Sequence, residues 1–189
     1  MTIYPILIAP DPRLKIKSKP VKEVDAAVRL LMEDMLETMH SARGIGLAAP
    51  QIDVHKRIIV VDVAGEDDVS QPLCMANPEI IEVSEEDHAH DEGCLSLPDH
   101  YSEVIRPSSV RIRYLDKENK TCELDATGIL AVCIQHEIDH LDGILFVDHI
   151  SSLKRNMILR KLIKLKNRKS WKIMSSLNLI FMGSPDFSV

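Results

Sequence analysis

Residues 136–140 read His136-Glu137-Ile138-Asp139-His140. On a helix, two His at i and i+4 lie on one face, one turn apart, close enough to share a metal ion. Glu137 stands beside the first of them, where its carboxylate can reach a coordinated water without being a ligand. A divalent metal lowers the pKa of such a water from ~15.7 toward ~7, and an adjacent carboxylate can take its proton. The plain alternative is a helix with two hydrogen-bonded His, which a five-residue pattern does not exclude. Context favours the metal: Ile129, Val132 and Cys133 make the upstream face apolar within one to two turns of His136. An apolar wall beside a metal suits an apolar substrate side chain.

Two His leave a catalytic metal one protein ligand short. The third can come from Cys94, Cys133, His88, His90 or a nearby acid. Cys133 lies three residues before His136, although a small buried Cys is commonly packing alone. The acid- and His-rich run Asp87–Asp91 reads as a solvated loop with, at most, weak metal affinity. Cys94 sits in Glu92-Gly93-Cys94-Leu95-Ser96-Leu97-Pro98. Gly93 permits close backbone approach there, and a thiolate is a strong ligand for a borderline metal. A third cluster, Gly44-Ile45-Gly46-Leu47-Ala48-Ala49-Pro50-Gln51, lacks the Lys-Ser/Thr of a phosphate loop. It reads as a small-residue strip along which a peptide can lie, with Gln51 offering an amide donor to an oxyanion.

The elements that must hold these residues can be read from periodicity. Pro5, Pro10, Pro12 and Pro20 make residues 1–20 extended chain and turns. Val28, Leu31, Met32, Met35, Leu36 and Met39 recur at helical spacing, which predicts an amphipathic helix over 25–42 with Asp25 as N-cap. Strands are predicted at Lys56–Val63, Pro78–Val83, Ser109–Leu115 and Thr121–Leu124, the last two joined as a hairpin through Asp116–Lys120. Thr127 can cap a helix through Ile129–Leu141 that Gly143 stops. A last helix is predicted over Ser151–Lys172, with Leu153, Met157, Leu162 and Leu165 available to pack on the body. Strands cluster between helices without βαβ alternation, so the expected class is α+β.

The chain has 189 residues, 45% hydrophobic and 28% charged, enough for one core. No apolar run approaches the ~18 residues of a membrane span. The opening MTIYPILIAPDP lacks the pattern of a secretory signal. Four Cys are too few for a disulfide scaffold, so a reducing cytoplasm is the expected compartment. Charge is unevenly placed. Residues 1–150 carry 14 Lys+Arg against 28 Asp+Glu, whereas residues 151–172 carry 9 basic residues and no acid. A cationic face so lopsided suits an anionic polymer.

Taken together and in order, Gly44–Gln51, Glu92–Ser96 and Gln135–Gly143 resemble the three motifs of the peptide deformylase family. These hydrolases remove the formyl group from the N-terminal formyl-methionine of new bacterial proteins. The resemblance is collinear over about residues 4–170. It implies that Cys94, His136 and His140 bind the metal and that Glu137 is the general base. Gln51 and the backbone N–H of Leu95 would stabilise the oxyanion. Gly46 would hydrogen-bond the formyl or peptide group through its main chain. Ile45, Ile129, Val132, Cys133 and His136 would line the methionine pocket. The implied fold is α+β, with antiparallel sheets packed around the helix that carries the two His, and a C-terminal helix. The implied metal is ferrous iron (Fe2+), with zinc, nickel or cobalt as substitutes; the ligand set alone would suit zinc equally. Expected partners are formyl-methionyl nascent peptides and, through the basic helix 151–172, the ribosome near its exit tunnel; no membrane is expected. Where many bacterial members carry Arg seven residues past the motif's Cys, this chain has Tyr101.

Two other readings compete. A general metallopeptidase would leave Gly44–Gln51 and the Cys94 segment unexplained. A non-catalytic ribosome-binding protein would need neither Glu137 nor a complete ligand set. Residues 174–189 are set apart: MSSLNLIFMGSPDFSV resembles the start of methionyl-tRNA formyltransferase, where such a strand opens a large α/β domain. The expectation is one domain over 1–172 and an extraneous tail over 173–189 from the joining of neighbouring genes, the alternative being a native tail that ends in a strand.

Overall fold

The computed structural model describes residues 2–64 and 69–165. Seven strands are present among them: β1 (Gly46–Ala48), β2 (Ile58–Val61), β3 (Leu73–Val83), β4 (Asp87–Gly93), β5 (Tyr101–Pro107), β6 (Ser109–Leu115) and β7 (Thr121–Thr127). The helices are α1 (Ala26–Ser41), α2 (Gly128–Leu141) and α3, described over residues 152–165. An antiparallel sheet runs in the order β1-β2-β3-β6-β7, and β4 and β5 form a separate antiparallel ribbon. The class is α+β, as the sequence implies.

The five-stranded sheet is covered on both faces. Ile59, Val61, Met75 and Ile112 pack against Ala131, Ile134, Ile138 and Leu141 of α2. Leu47, Ile58, Val60 and Ala76 face Val28, Met32, Met35 and Met39 of α1. This double cover explains why β2 is an unbroken apolar run rather than an alternating one: all four of its residues are buried. Helix α1 begins where expected, with Asp25 accepting from the Val28 N–H at 2.8 Å. Helix α2 has ten of its fourteen residues buried, the mark of a helix enclosed by the fold. Thr127 stands at its N-cap, but the hydroxyl makes no capping bond. The helix starts instead through Gly128 at φ +56°, a left-handed position that favours glycine.

Four expectations need correction. Strand β3 begins at Leu73, ahead of the expected Pro78. The ladder with β6 shifts register between Ala76 and Glu79, and Pro78 sits in that irregularity, where a missing N–H costs no ladder bond. Residues 12–15 of the Pro-rich opening form a short 3-10 turn capped by Asp11. Asp87–Asp91 is not a loop but most of β4. On α3, Ile158 and Leu162 are the buried residues, packed in a third core with Leu14, Leu97, Val104 and Phe146. Leu153 and Met157 are exposed because positions 158 and 162 share a helix face that 153 and 157 do not; Leu165, at the end of the described helix, is exposed as well, and Leu162 is buried as expected. Residues 166–172 of the expected last helix, and the tail from 173, lie outside the described residues.

Candidate active site

The i, i+4 spacing on α2 places the rings of His136 and His140 4.9 Å apart, edge to face. Cys94 arrives from the turn that follows β4, and its Sγ lies 3.2 Å from His140 Nε2. One ligand atom each from Cys94, His136 and His140 falls within 4.8 Å of the others. Of the alternatives considered for a third ligand, Cys133 is set apart by its chemistry. Burial, reinforced by the carboxylates of Glu137 and Glu92, pushes its thiol well above the ordinary range. His88 and His90 lie along β4, and His88 pairs with Glu86 at 3.1 Å.

His136 is oriented from behind. Its Nδ1 lies 2.9 Å from Glu92 Oε2, which leaves Nε2 for the metal side. Glu92 is itself held by Arg106, whose Nε and second guanidinium nitrogen reach its two oxygens at 2.5 and 3.0 Å. The remaining arm of Arg106 reaches Asp139 Oδ2 at 2.9 Å, and His149 Nε2 meets that oxygen at 2.7 Å. Burial alone would raise the Glu92 carboxyl, but hydrogen bonds from His136 and Arg106 and the Arg106 charge hold it down to about 2. A carboxylate that stays ionised at 4% exposure is a fixed acceptor for the ligand behind which it sits.

Glu137 occupies the opposite regime. It is 4% exposed and its Oε2 has no hydrogen-bond partner among the described residues. Burial pushes its carboxyl up to about 7, against the pull of His136. A base poised there can both take and return a proton near neutrality. Gly46 makes room for it: a Cβ at this position would come 2.5 Å from Glu137 Oε1 and 2.6 Å from Cys133 Sγ. Any side chain there would displace the carboxylate or the thiol.

These groups share an open cleft of about 730 Å³. Gln51, Leu95, Ile45, Gly46, Ile129, Val132, Cys133, His136 and Glu137 all line it, and Cys94 does too. His140 stands behind them, fully buried. Gln51 Oε1 accepts from the Ala48 N–H at 2.7 Å, so the NH2 end turns toward Ser96 and Cys94. Among the described residues the main-chain N–H of Leu95 makes no hydrogen bond. Tyr101 pairs with Gly93 across the ribbon, and its ring lies where a Cβ at position 93 would be, 2.5 Å away. Residue types and spacing did not disclose Arg106, Asp139 or His149 as supports of the site. Arg106 reaches Glu92 only through the pairing of β4 with β5.

Thiolate sulfur and two imidazoles fit a borderline divalent ion, and three such ligands leave it a position open to a reactant. With a buried carboxylate able to act on what enters that position, the chain falls in the class of mononuclear metallohydrolases. Residues 3–156 match the family model described as polypeptide deformylase, and the chain belongs to that family. It is 55% identical over 167 residues to the peptide deformylase of Methylocella silvestris, covering 87% of this chain and 85% of that one. The peptide deformylase of Mesorhizobium japonicum is 53% identical over 170 residues, 90% of this chain and 97% of its own. Among solved structures, the peptide deformylase of Ehrlichia chaffeensis superposes with a TM-score of 0.85 at 40% identity, covering 89% of this chain and 99% of that one. A second structure of that enzyme, in complex with actinonin, gives 0.84 at 42% identity over the same shares.

Proposed function

We propose that the chain removes the formyl group from the N-terminal formyl-methionine of nascent polypeptides, as a metal-dependent hydrolase. The observation that carries this reading is the convergence of Cys94, His136 and His140 within 4.8 Å beside a buried Glu137 oxygen with no hydrogen-bond partner among the described residues. A divalent ion held by those three residues would supply Lewis acidity, lowering the pKa of a water and polarising the formyl oxygen. Glu137 takes the proton of the attacking water and returns it to the leaving amine. Gln51 Nε2–H and the Leu95 N–H donate to the oxygen as negative charge grows on it. The Gly46 main chain hydrogen-bonds the substrate backbone. Ile45, Ile129, Val132, Cys133 and His136 take the methionine side chain.

The test is turnover of a formyl-Met peptide against an acetyl-Met peptide by the metal-loaded protein. Formate release from the first alone is expected. Cleavage of internal peptide bonds would point to a general metallopeptidase, and inertness toward both to a non-catalytic ribosome-binding protein. Ferrous iron is the proposed metal, to be read by elemental analysis of protein purified without air; zinc in its place would overturn that choice. The cytoplasm is the proposed compartment, in keeping with four free cysteines and a nascent-chain substrate.

The proposed second contact is the ribosome, near the exit tunnel, through the basic segment 151–172. Lys154, Lys161 and Lys164 are exposed on α3, while Ile158 and Leu162 anchor it. Reversing the charge of these three Lys is expected to weaken ribosome pull-down, steeply so with added salt, and to leave turnover of a short formyl peptide unchanged. Undiminished pull-down would refute the contact. The proposed domain spans residues 1–172, with 173–189 extraneous to it. Deleting residues 174–189 is expected to hold kcat/KM within about twofold, ~0.4 kcal/mol; a tenfold loss would make the tail part of the enzyme.

A further inference from the structure

Gln51 can serve the reaction only if the correct end of its amide faces the cleft. An oxygen aimed at a growing oxyanion would repel it, whereas the NH2 end stabilises it. Gln51 is 1% exposed, and three contacts hold its amide. Oε1 accepts from the Ala48 N–H at 2.7 Å. Nε2 lies 3.2 Å from Ser96 Oγ and 3.7 Å from Cys94 Sγ. The Ala48 bond settles which end is which. At the nitrogen, Ser96 Oγ is the nearer acceptor; by holding one N–H it opposes rotation about the Cγ–Cδ bond and so sets the direction of the other N–H, which lies on the Cys94 side.

Ser96 is fully buried, does not line the cleft and has no other described side-chain partner. Its backbone is tied to the same end as that of Gln51. In the N-terminal arm, the Leu7 N–H donates to the Gln51 carbonyl at 2.8 Å and the Ala9 N–H to the Ser96 carbonyl at 2.9 Å. Two N–H groups, two residues apart, thus hold two segments that lie 45 residues apart in the chain.

We propose that Ser96 is a positioning residue for deformylation: its hydroxyl fixes the plane of the Gln51 amide, and the arm at Leu7 and Ala9 holds the two segments in register. The proposal rests on the reading of Gln51 as an oxyanion donor. A donor that is present but misaligned forfeits part of the ~10²–10³-fold that a donor supplies. Ser96 acts through Gln51, so its worth should vanish when Gln51 is gone.

The experiment is a double-mutant cycle with Ser96→Ala, Gln51→Ala and both, measured on a formyl-Met peptide with metal content and Tm read for each. Ser96→Ala is expected to lower kcat about tenfold, with KM within about twofold and metal content and Tm unchanged. Added to Gln51→Ala, which should cost about 10²–10³-fold, it is expected to cost no more than about twofold further. The same tenfold loss in both backgrounds, or a loss that follows metal content or Tm, would overturn the positioning role while leaving Gln51 as donor. Full kcat in Gln51→Ala would remove the donor itself, and Ser96 would have nothing to position.

Discussion

Glu137→Gln is expected to keep the metal and lose nearly all turnover. The amide has the carboxylate's shape, so the packing against Gly46 and Cys133, where there is no room for one more carbon, is kept. What is lost is the capacity to accept a proton. A positioned base contributes roughly 10²–10⁴-fold, and here the base must also return the proton to the amine, so the loss should fall at the upper end. The Glu137 carboxyl reaches about 7 because burial disfavours its charge, a penalty that a neutral amide does not meet. The variant should therefore fold at least as stably as the parent. The measurement is kcat on a formyl-Met peptide alongside elemental analysis. A fully metallated variant turning over within tenfold of the parent would take the role of base away from Glu137.

The second large effect is expected at Cys94. Cys94→Ser replaces a thiolate with a hydroxyl that remains protonated near neutrality and is a poor partner for a borderline metal. Outer-shell partners of metal ligands are typically worth 10–100-fold in affinity; a direct ligand should be worth more, so the variant should lose its metal to a chelator that the parent withstands. Cys74→Ser and Cys122→Ser are the controls. Both lie in strands of the large sheet, Cys74 in β3 and Cys122 in β7, and neither should alter metal retention. Cys133→Ser separates the two cysteines of the cleft: metal should be kept, because the Cys133 thiol is held protonated by its burial. Full occupancy in Cys94→Ser would move the ligand elsewhere.

The kinds of information that were legible differ between elements. Helix α1 and its cap, strand β2 and the β6–β7 hairpin were readable because each depends on neighbours within a few residues: a repeat, a cap, a turn. The β4–β5 ribbon was not. Glu92 and Arg106 turn inward while His88, Ala89, Asp91, Tyr101 and Ile105 are exposed, so charged and apolar residues occur on both faces and no alternation of the usual kind survives. The packing face of α3 was read correctly at Leu162 but not at Leu153 and Met157, for a related reason. Leucines and isoleucines occur on more than one side of it, and only the third core selects Ile158 and Leu162 for burial.

The site divides along the same line. Residue type and spacing alone brought His136 and His140 to one helix face with Glu137 beside them, since an α-helix sets i and i+4 side by side whatever surrounds it. The family resemblance carried by the two other motifs implied Cys94, Leu95, Gln51 and Gly46. Tertiary structure decided what those residues can do. Where residue pattern left Cys94 and Cys133 both open and the family resemblance implied Cys94, the packing sets the Cys94 thiol beside the two imidazoles. It set Arg106 behind Glu92 and Glu92 behind His136, and it left one carboxyl ionised and another poised near 7 within one buried site. Those outcomes depend on burial and on charges brought from distant parts of the chain. Both are properties of the packed space, which local pattern does not encode.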